Sequence, residues 1–275
     1  MGTLYLVSAP IGNLEDITLR ARHILESEQL FLAEDTRVVK SLMSLYGISL
    51  KGKEVISFHE HSSDDDLQRI VEILKGGRDL YFFSDAGSPI ISDPAYPLVK
   101  RIIAEGIEVR SCPGASSLIS ALEVSGLPPH PFTFYGFFPR DKERQRRWMQ
   151  LFKRHSHTSI FFESPKRIEG TLSLLAKELP AADVVLAREL TKKFETVYRF
   201  KAEGYQGIEN FVTKGEFVVL VHLGKELVQE EMVDEALKGM VADYLEGKRT
   251  TKKLAKIFAK LLSSDTSSIY DQLSK

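Results

Sequence analysis

From Leu4 onward, short apolar runs rich in Val, Ile, Phe and Tyr alternate with longer stretches in which Leu, Ile or Val recurs every three or four residues. The short runs fit buried strands and the longer ones amphipathic helices. Their regular alternation predicts an α/β fold whose first sheet is largely parallel. Strands are expected at LYLVSA (4–9), QLFLAE (29–34), EVISFHE (54–60), DLYFFSDAG (79–87) and EVRSCPG (108–114). Between them DITLRARHILESE, TRVVKSLMSLYGI, SDDDLQRIVEILKGG and DPAYPLVKRIIAEG carry the helical period. Ser63 followed by Asp64, Asp65 and Asp66 is a capped, acidic helix start, and Gly76-Gly77 a stop.

This pattern gives an N-terminal α/β domain over 1–125. GLPPHPF (126–132) then packs three prolines and a glycine into seven positions, where neither helix nor strand runs, and is expected to be a linker. A second α/β domain follows over 133–224, with strand-like runs FTFYGFF, TSIFFE, DVVLARE, ETVYRF and EFVVLVHL. The link within LARELTKKFETVYRF is too short for a helical crossover, so some of this sheet must be antiparallel. Residues 225–275 form a helical extension. From Lys225 to Glu246 it has seven acidic residues against two basic, and from Gly247 to Ser264 six basic and none acidic. The basic part is a solvated amphipathic helix or a nucleic-acid contact.

Composition narrows the function. With 43% hydrophobic and 27% charged residues the 275-residue chain has a normal globular balance, and a net charge of -1 excludes a uniformly basic nucleic-acid binder while leaving local basic patches. The single cysteine, Cys112, excludes an internal disulfide and a cysteine-rich metal site, which fits a reducing cytoplasm. The N-terminal MGTLYLVSAPIGN has no basic leader, and no run approaches the ~20 apolar residues of a membrane span.

In open α/β sheets, ligands sit beyond the carboxyl ends of the strands. The five expected strands of the first domain end in Ser8-Ala9-Pro10-Ile11-Gly12-Asn13, Glu34-Asp35-Thr36-Arg37, His59-Glu60-His61, Ser84-Asp85-Ala86-Gly87-Ser88 and Pro113-Gly114-Ala115-Ser116-Ser117. None is a G-x-G-x-x-G or P-loop phosphate cradle. Small residues let backbone groups approach a ligand and Asp85 adds one negative charge, which suits a cationic or hydroxyl-bearing molecule. Taken singly, each loop also reads as a tight βα turn. His59 and His61, two apart on a strand, would share one face, but no third ligand accompanies them as a metal site requires.

The stretches LYLVSAPIGNLEDIT, AEDTR, SDAGSPIISDP, PGASS, LPPHPFTFYGFFP, FFESPKR and ARELTK together resemble the ribosomal RNA small subunit methyltransferase I family, in order from Leu4 to about Leu223. The resemblance implies the two-domain tetrapyrrole-methylase fold with S-adenosyl-L-methionine in the cleft between the halves. It further implies methylation of a cytidine ribose 2′-hydroxyl in the decoding region of 16S rRNA, and a homodimer. Its cofactor contacts fall on Ile11, Gly12, Asp85, Gly87, Ser88, Gly114, Ser116 and Ser117 in the first half, and on Phe162, Glu163, Leu190, Gly215 and Glu216 in the second. Sulfonium methyl transfer is an in-line displacement that needs alignment, no metal, and help in removing the hydroxyl proton.

Candidates for that help are Glu34 and Asp35, with Arg37 steering the RNA backbone and Lys192 lowering the hydroxyl pKa. Glu34 and Asp35 also read as the capped start of a helix, and Arg188 with Glu189 as an internal ion pair. Two basic stretches are candidate RNA contacts. One is RDKERQRRWMQLFKRHSH, with Arg144, Arg146 and Arg147 on a helix whose Trp148, Leu151 and Phe152 face the core; the other holds Lys252, Lys253 and Lys256. The alternatives are a tetrapyrrole or diphthine-type acceptor on the same fold, from which SAPIGN and SDAGSP depart, and a non-catalytic ribosome-associated RNA-binding protein.

Overall fold

The computed structural model describes residues 1–59, 61–91, 95–227, 251–261 and 265–273. Strands β1 (Leu4–Val7), β2 (Leu30–Ala33), β3 (Glu54–Ser57), β4 (Leu80–Phe83) and β5 (Val109–Cys112) form a parallel sheet in the order β3-β2-β4-β1-β5. The central β2 and β4 are buried at every position because helices cover both faces. On one face α1 (Leu19–Ser27) and α2 (Thr36–Leu45) bring Leu25, Val39 and Met43 onto Phe31 and Phe83. On the other, α3 (Asp64–Lys75) and α4 (Ala95–Ala104) bring Ile70, Leu74 and Leu98 onto Leu4, Leu32 and Phe82. The chain therefore leaves β1 and its neighbour β4 toward opposite faces, and a crevice opens between their ends.

Every expected strand is present, and those of the first sheet end earlier than their apolar patterns suggested. β1 stops at Val7 and β4 at Phe83, so the polar tails Ser8–Asn13 and Ser84–Ser88 are loops. β3 stops at Ser57, which corrects the strand placement of the two histidines. They sit in a turn in which the Ser62 N–H donates to the His59 carbonyl at 2.9 Å and the His59 N–H to Ser62 Oγ at 3.0 Å. Glu60 lies outside the described residues. Ser63 caps α3 in a full capping box with Asp66, as its sequence predicts.

The second sheet contains β6 (Phe132–Phe137), β7 (Thr158–Glu163), β8 (Asp183–Arg188), β9 (Thr196–Lys201) and β10 (Phe217–His222), in the order β6-β7-β10-β8-β9. Only β6 and β7 pair in parallel; the short link between β8 and β9 makes an antiparallel pair, as expected. Helices α6 (Lys142–Lys153) and α7 (Ile168–Glu178) belong to this half. Trp148 and Phe152 of α6 pack on Phe161. Leu151, expected in the core, is 42% exposed, and Met149 is buried in its place. The reason is angular: residues 145, 148, 149 and 152 share a helical stripe from which 151 is turned about 100°.

Helix α5 (Ser117–Ser125) precedes the proline-rich segment yet packs on the second sheet, through Leu118 and Ala121 against Val185, Val218 and Leu220. Arg199 of β9 donates to the carbonyls of Val124 and Ser125, satisfying groups that the helix end leaves open. Gly126 ends α5 in a left-handed conformation, the His130–Pro131 bond is cis, and Phe132 already belongs to β6.

Met1–Leu227 form one compact unit and Val228–Lys275 another. In the second unit α8 (Thr251–Leu261) and α9 (Thr266–Leu273) bury Ala255, Ala259 and Ile269 with Phe258 packed on them. The acidic half of the extension lies largely outside the described residues. Among the described residues no helix is long and apolar enough to cross a membrane.

Phe161 is fully buried among Phe138, Trp148 and Phe152. Phe161→Ala is expected to cost about 3–5 kcal/mol. Urea unfolding followed by the fluorescence of Trp148, the only tryptophan, reads this as a lowered midpoint.

Candidate active site

The crevice between β1 and β4 is closed at its base by the loops that create it. The Ala9 N–H donates to the Gly87 carbonyl at 2.9 Å and the Gly87 N–H returns to the Ala9 carbonyl at 3.0 Å, a two-residue antiparallel bridge between loops of parallel strands. Ser84 Oγ adds a bond to the same Gly87 carbonyl at 2.6 Å. Gly87 has φ of 73°, and a Cβ there would stand 3.1 Å from Ile11 Cγ2 and 3.5 Å from the Ala115 carbonyl. The loops after β1, β4 and β5 thus converge on one glycine.

The β1 loop also reaches the second half. The Asn13 N–H donates to Thr191 Oγ1 at 3.1 Å, and Gly12 lies so near that a Cβ would fall 2.3 Å from Lys192 Cγ and 3.1 Å from the Leu190 carbonyl. The turn that meets it is bent by two non-glycine residues in the left-handed region, Glu189 with φ of 50° and Thr191 with φ of 64°. Lys192 Nζ bonds Glu189 at 3.1 Å and Glu216 at 2.9 Å. Burial works against the Lys192 charge, but the bonds to Glu216 and Glu189 outweigh it and hold the pKa above its usual value. The Glu216 N–H and the Lys192 ammonium together hold the Glu189 carboxyl below its usual range. Arg188 does not form the expected ion pair with Glu189: it donates to the carbonyls of Lys214 at 2.5 Å and Phe194 at 2.7 Å, fixing the flanking loops.

Between these walls lies a cleft of about 470 Å³. Of the sequence-predicted residues, Ile11, Glu34, Asp85, Gly87, Ser88, Ser116, Ser117, Phe162, Glu163, Leu190 and Glu216 line it. Gly12, Gly114 and Gly215 stand behind the wall, pressed by the side chains of Lys192, Ser8 and Glu189. Asp35, Arg37 and Lys192 are outside the lining. Arg144, Arg146 and Arg147 are exposed on α6, Arg144 paired with Asp141 and Arg147 with Glu143. Lys252 and Lys256 are exposed on α8, the helix that also contains Lys253.

The cleft contains residues that sequence reasoning missed: Ala86, Ile91, Phe137, Ser164, Pro165, Ala187, Phe217 and Val218. Ser164-Pro165 repeats, at the end of β7, the small-polar strand end seen five times in the first half, a signal that could have found it. Ala187, Phe217 and Val218 enter because β10 pairs Phe217 with Glu163 and Val218 with both Phe162 and Ala187, a register no single strand reveals.

The carboxylates differ in commitment. Asp35 caps α2 through the Arg37 N–H and chelates the Arg37 guanidinium, which lowers its pKa to about 2. Glu163 is buried and fully engaged: Oε1 accepts from the Ser164 N–H at 2.6 Å and from Arg167 at 2.7 Å, and Oε2 from Thr171 Oγ1 at 2.6 Å. It lines the wall with both oxygens already bonded. Asp85 accepts the Asp35 N–H at 3.2 Å; burial raises its pKa and that bond partly offsets it. The apolar floor of Ile11, Phe162, Leu190 and Val218 with one anionic, glycine-backed loop suits an elongated molecule with an apolar ring and a positive charge.

Gly12→Ala is expected to force the β1 loop off the Leu190–Lys192 turn, at about 1–3 kcal/mol of overpacking. Hydrogen–deuterium exchange reads it as faster exchange confined to residues 11–14 and 189–195, with both sheets unchanged.

Residues 3–205 match the family of Tetrapyrrole (Corrin/Porphyrin) Methylases. The chain is 39% identical over 261 residues to ribosomal RNA small subunit methyltransferase I of Bacillus subtilis (strain 168), covering 93% of this chain and 88% of that one. It is 43% identical over 229 residues to the protein of the same name from Thermotoga maritima, covering 82% and 100%. Among solved structures, uroporphyrin-III C-methyltransferase of Thermus thermophilus complexed with S-adenosyl homocysteine superposes with a TM-score of 0.53 at 18% identity, covering 80% of this chain and 97% of that one, which shows the fold. The cleft, with its apolar floor and the Asp85 carboxylate, fits the cationic S-adenosylmethionine. The chain belongs to the ribosomal RNA small subunit methyltransferase I family of the tetrapyrrole methylases, and is a methyltransferase dependent on S-adenosylmethionine.

Proposed function

We propose that this methyltransferase acts on 16S rRNA, transferring a methyl group to the ribose 2′-hydroxyl of a cytidine in the decoding region. One observation carries the RNA acceptor beyond the relatives' names. Five residues past Phe137 on the cleft wall, the chain enters α6, whose exposed side bears Lys142, Arg144, Arg146 and Arg147. Arg and Lys on an exposed face supply most of the sequence-independent affinity for a phosphate backbone. Lys252, Lys253 and Lys256 on α8 make a second footprint. The family resemblance favours a homodimer, which light scattering tests.

The donor, when bound, supplies a methyl group on a positively charged sulfur. Asp85 balances that charge, and the Gly87 and Ser116–Ser117 backbone lets the donor approach closely. Glu34 lines the cleft and takes up the acceptor hydroxyl proton. Asp35 is a weak base with its carboxyl near 2, and its part is to orient Arg37, whose side chain is 89% exposed and meets the RNA backbone. Lys192, with its charge answered by Glu189 and Glu216, positions the junction between the halves rather than the hydroxyl.

Donor binding depends on pH through Asp85. When the carboxyl is protonated its attraction to the sulfonium is lost, so affinity climbs with pH and levels once Asp85, whose pKa burial raises, is ionised in the free protein. Asp85→Asn is expected to weaken donor binding about tenfold at neutral pH and to flatten the profile; calorimetry across the range checks both.

The acceptor is tested by incubating the protein and labelled S-adenosylmethionine with small-subunit RNA or particles lacking the modification, then mapping the modified ribose. Label in a small molecule or protein instead supports the alternative acceptors, and donor binding without transfer a non-catalytic role. Neutralising Arg144, Arg146 and Arg147 together is expected to weaken RNA binding, leave donor binding intact, and flatten the slope of log affinity on log salt by roughly 0.7 to 0.9 per lost contact. The Lys252, Lys253 and Lys256 triple variant is compared in the same assay.

A further inference from the structure

A one-residue irregularity in β6 turns an aromatic ring into the cleft. Phe134 pairs with Ile160 and the next register pair is Phe137 with Phe162, so three steps on β6 match two on β7. Strict alternation would set residue 136 opposite Phe162 and send Phe137 to the α6 side with Tyr135. Gly136, with φ of 75°, absorbs the extra residue. Beyond it the sides exchange: Phe138 joins Tyr135 against Trp148, and Phe137 comes to Phe162 at 5.4 Å on the cleft side. Bulges beside active sites characteristically re-aim a side chain in this way.

Phe137 is 59% exposed, unlike the floor beneath it, where Leu190 and Val218 are each under a tenth exposed. Phe162 meets it at 64°, edge against face, which holds the ring in place while leaving much of its surface to solvent. A donor enclosed in the cleft takes the buried floor, since a ligand of that size has most of its surface covered. What meets a rim-exposed aromatic is the larger substrate arriving from solvent. Single-stranded RNA is recognised through unstacked bases that lie on aromatic rings, a contact that any base can make.

We infer that Phe137 is the stacking platform for the nucleobase of the acceptor nucleotide, so that the RNA is bound with that nucleotide unstacked from its neighbours. This rests on the RNA acceptor proposed above. It adds a requirement that the basic helix does not: phosphate contacts bring the RNA to the cleft, and the ring at the rim fixes which ribose presents its hydroxyl.

The test is steady-state methyl transfer to unmodified small-subunit RNA, with donor affinity measured by calorimetry on the same preparations. Phe137→Ala is expected to lower kcat/KM for RNA by about 5- to 140-fold, equivalent to about 1–3 kcal/mol at 1.4 kcal/mol per tenfold, with donor Kd unchanged. Phe137→Tyr and Phe137→Trp, which keep a π face, restore transfer; Phe137→Leu, which keeps apolar bulk alone, does not. Wild-type kcat/KM in Phe137→Ala, full rescue by leucine, or a donor Kd that weakens in step with transfer overturns the inference, the last by showing that the ring serves the donor. A wild-type protein that labels no RNA at all overturns the RNA acceptor first and this inference with it, whereas normal wild-type transfer with an indifferent Phe137 removes this inference alone.

Discussion

The Ala9–Gly87 pair of hydrogen bonds is the constraint on which the cleft depends. A parallel ladder holds β1 and β4 together only to Val7 and Phe83, and beyond them the chain departs toward opposite faces of the sheet. Without a further tie the two loops would diverge. The bridge holds them together for one more residue pair and requires a backbone that only glycine adopts freely. It thereby sets Ile11 and Asp85 on the same side of the cleft, and Asp85 in turn accepts the N–H of Asp35, tying in the loop after β2.

A second tie faces the first. Where the β1 loop meets the Leu190–Lys192 turn, two residues in left-handed conformations and a lysine shared by two carboxylates hold a shape that neither half needs for its own core. Local strain of this kind persists where surrounding contacts over-determine it. Here those contacts come from both halves, which makes the junction a property of the assembled cleft.

Much of this was legible in the sequence. All ten strands stood out because the central ones are continuous apolar runs and the others alternate, and the strand-end polar loops pointed to the ligand side of the first sheet. The helix start at Asp35 was readable as a cap, and that is the geometry its carboxylate adopts. What the sequence did not reveal depends on distant partners. Glu163 lines the cleft, but that Thr171 and Arg167, a turn or more along α7 and its entry, bond its two oxygens could not be read from its own strand. Phe217 and Val218 reached the cleft through cross-strand register, and the Gly136 bulge exchanged the sides of Phe137 and Phe138, an inversion that strict alternation cannot anticipate. His59 and His61 failed as a strand pair because their strand ends two residues sooner.

Helix α5 lies before the proline-rich segment in the chain and beneath the second sheet in space. Severing the chain at that segment would leave Leu118, Ala121 and Leu122 on a helix without its sheet, and Val185, Val218 and Leu220 on a sheet without its cover. The halves are therefore not separable modules, and neither could have been exchanged for a foreign one without redesigning the interface that α5 makes.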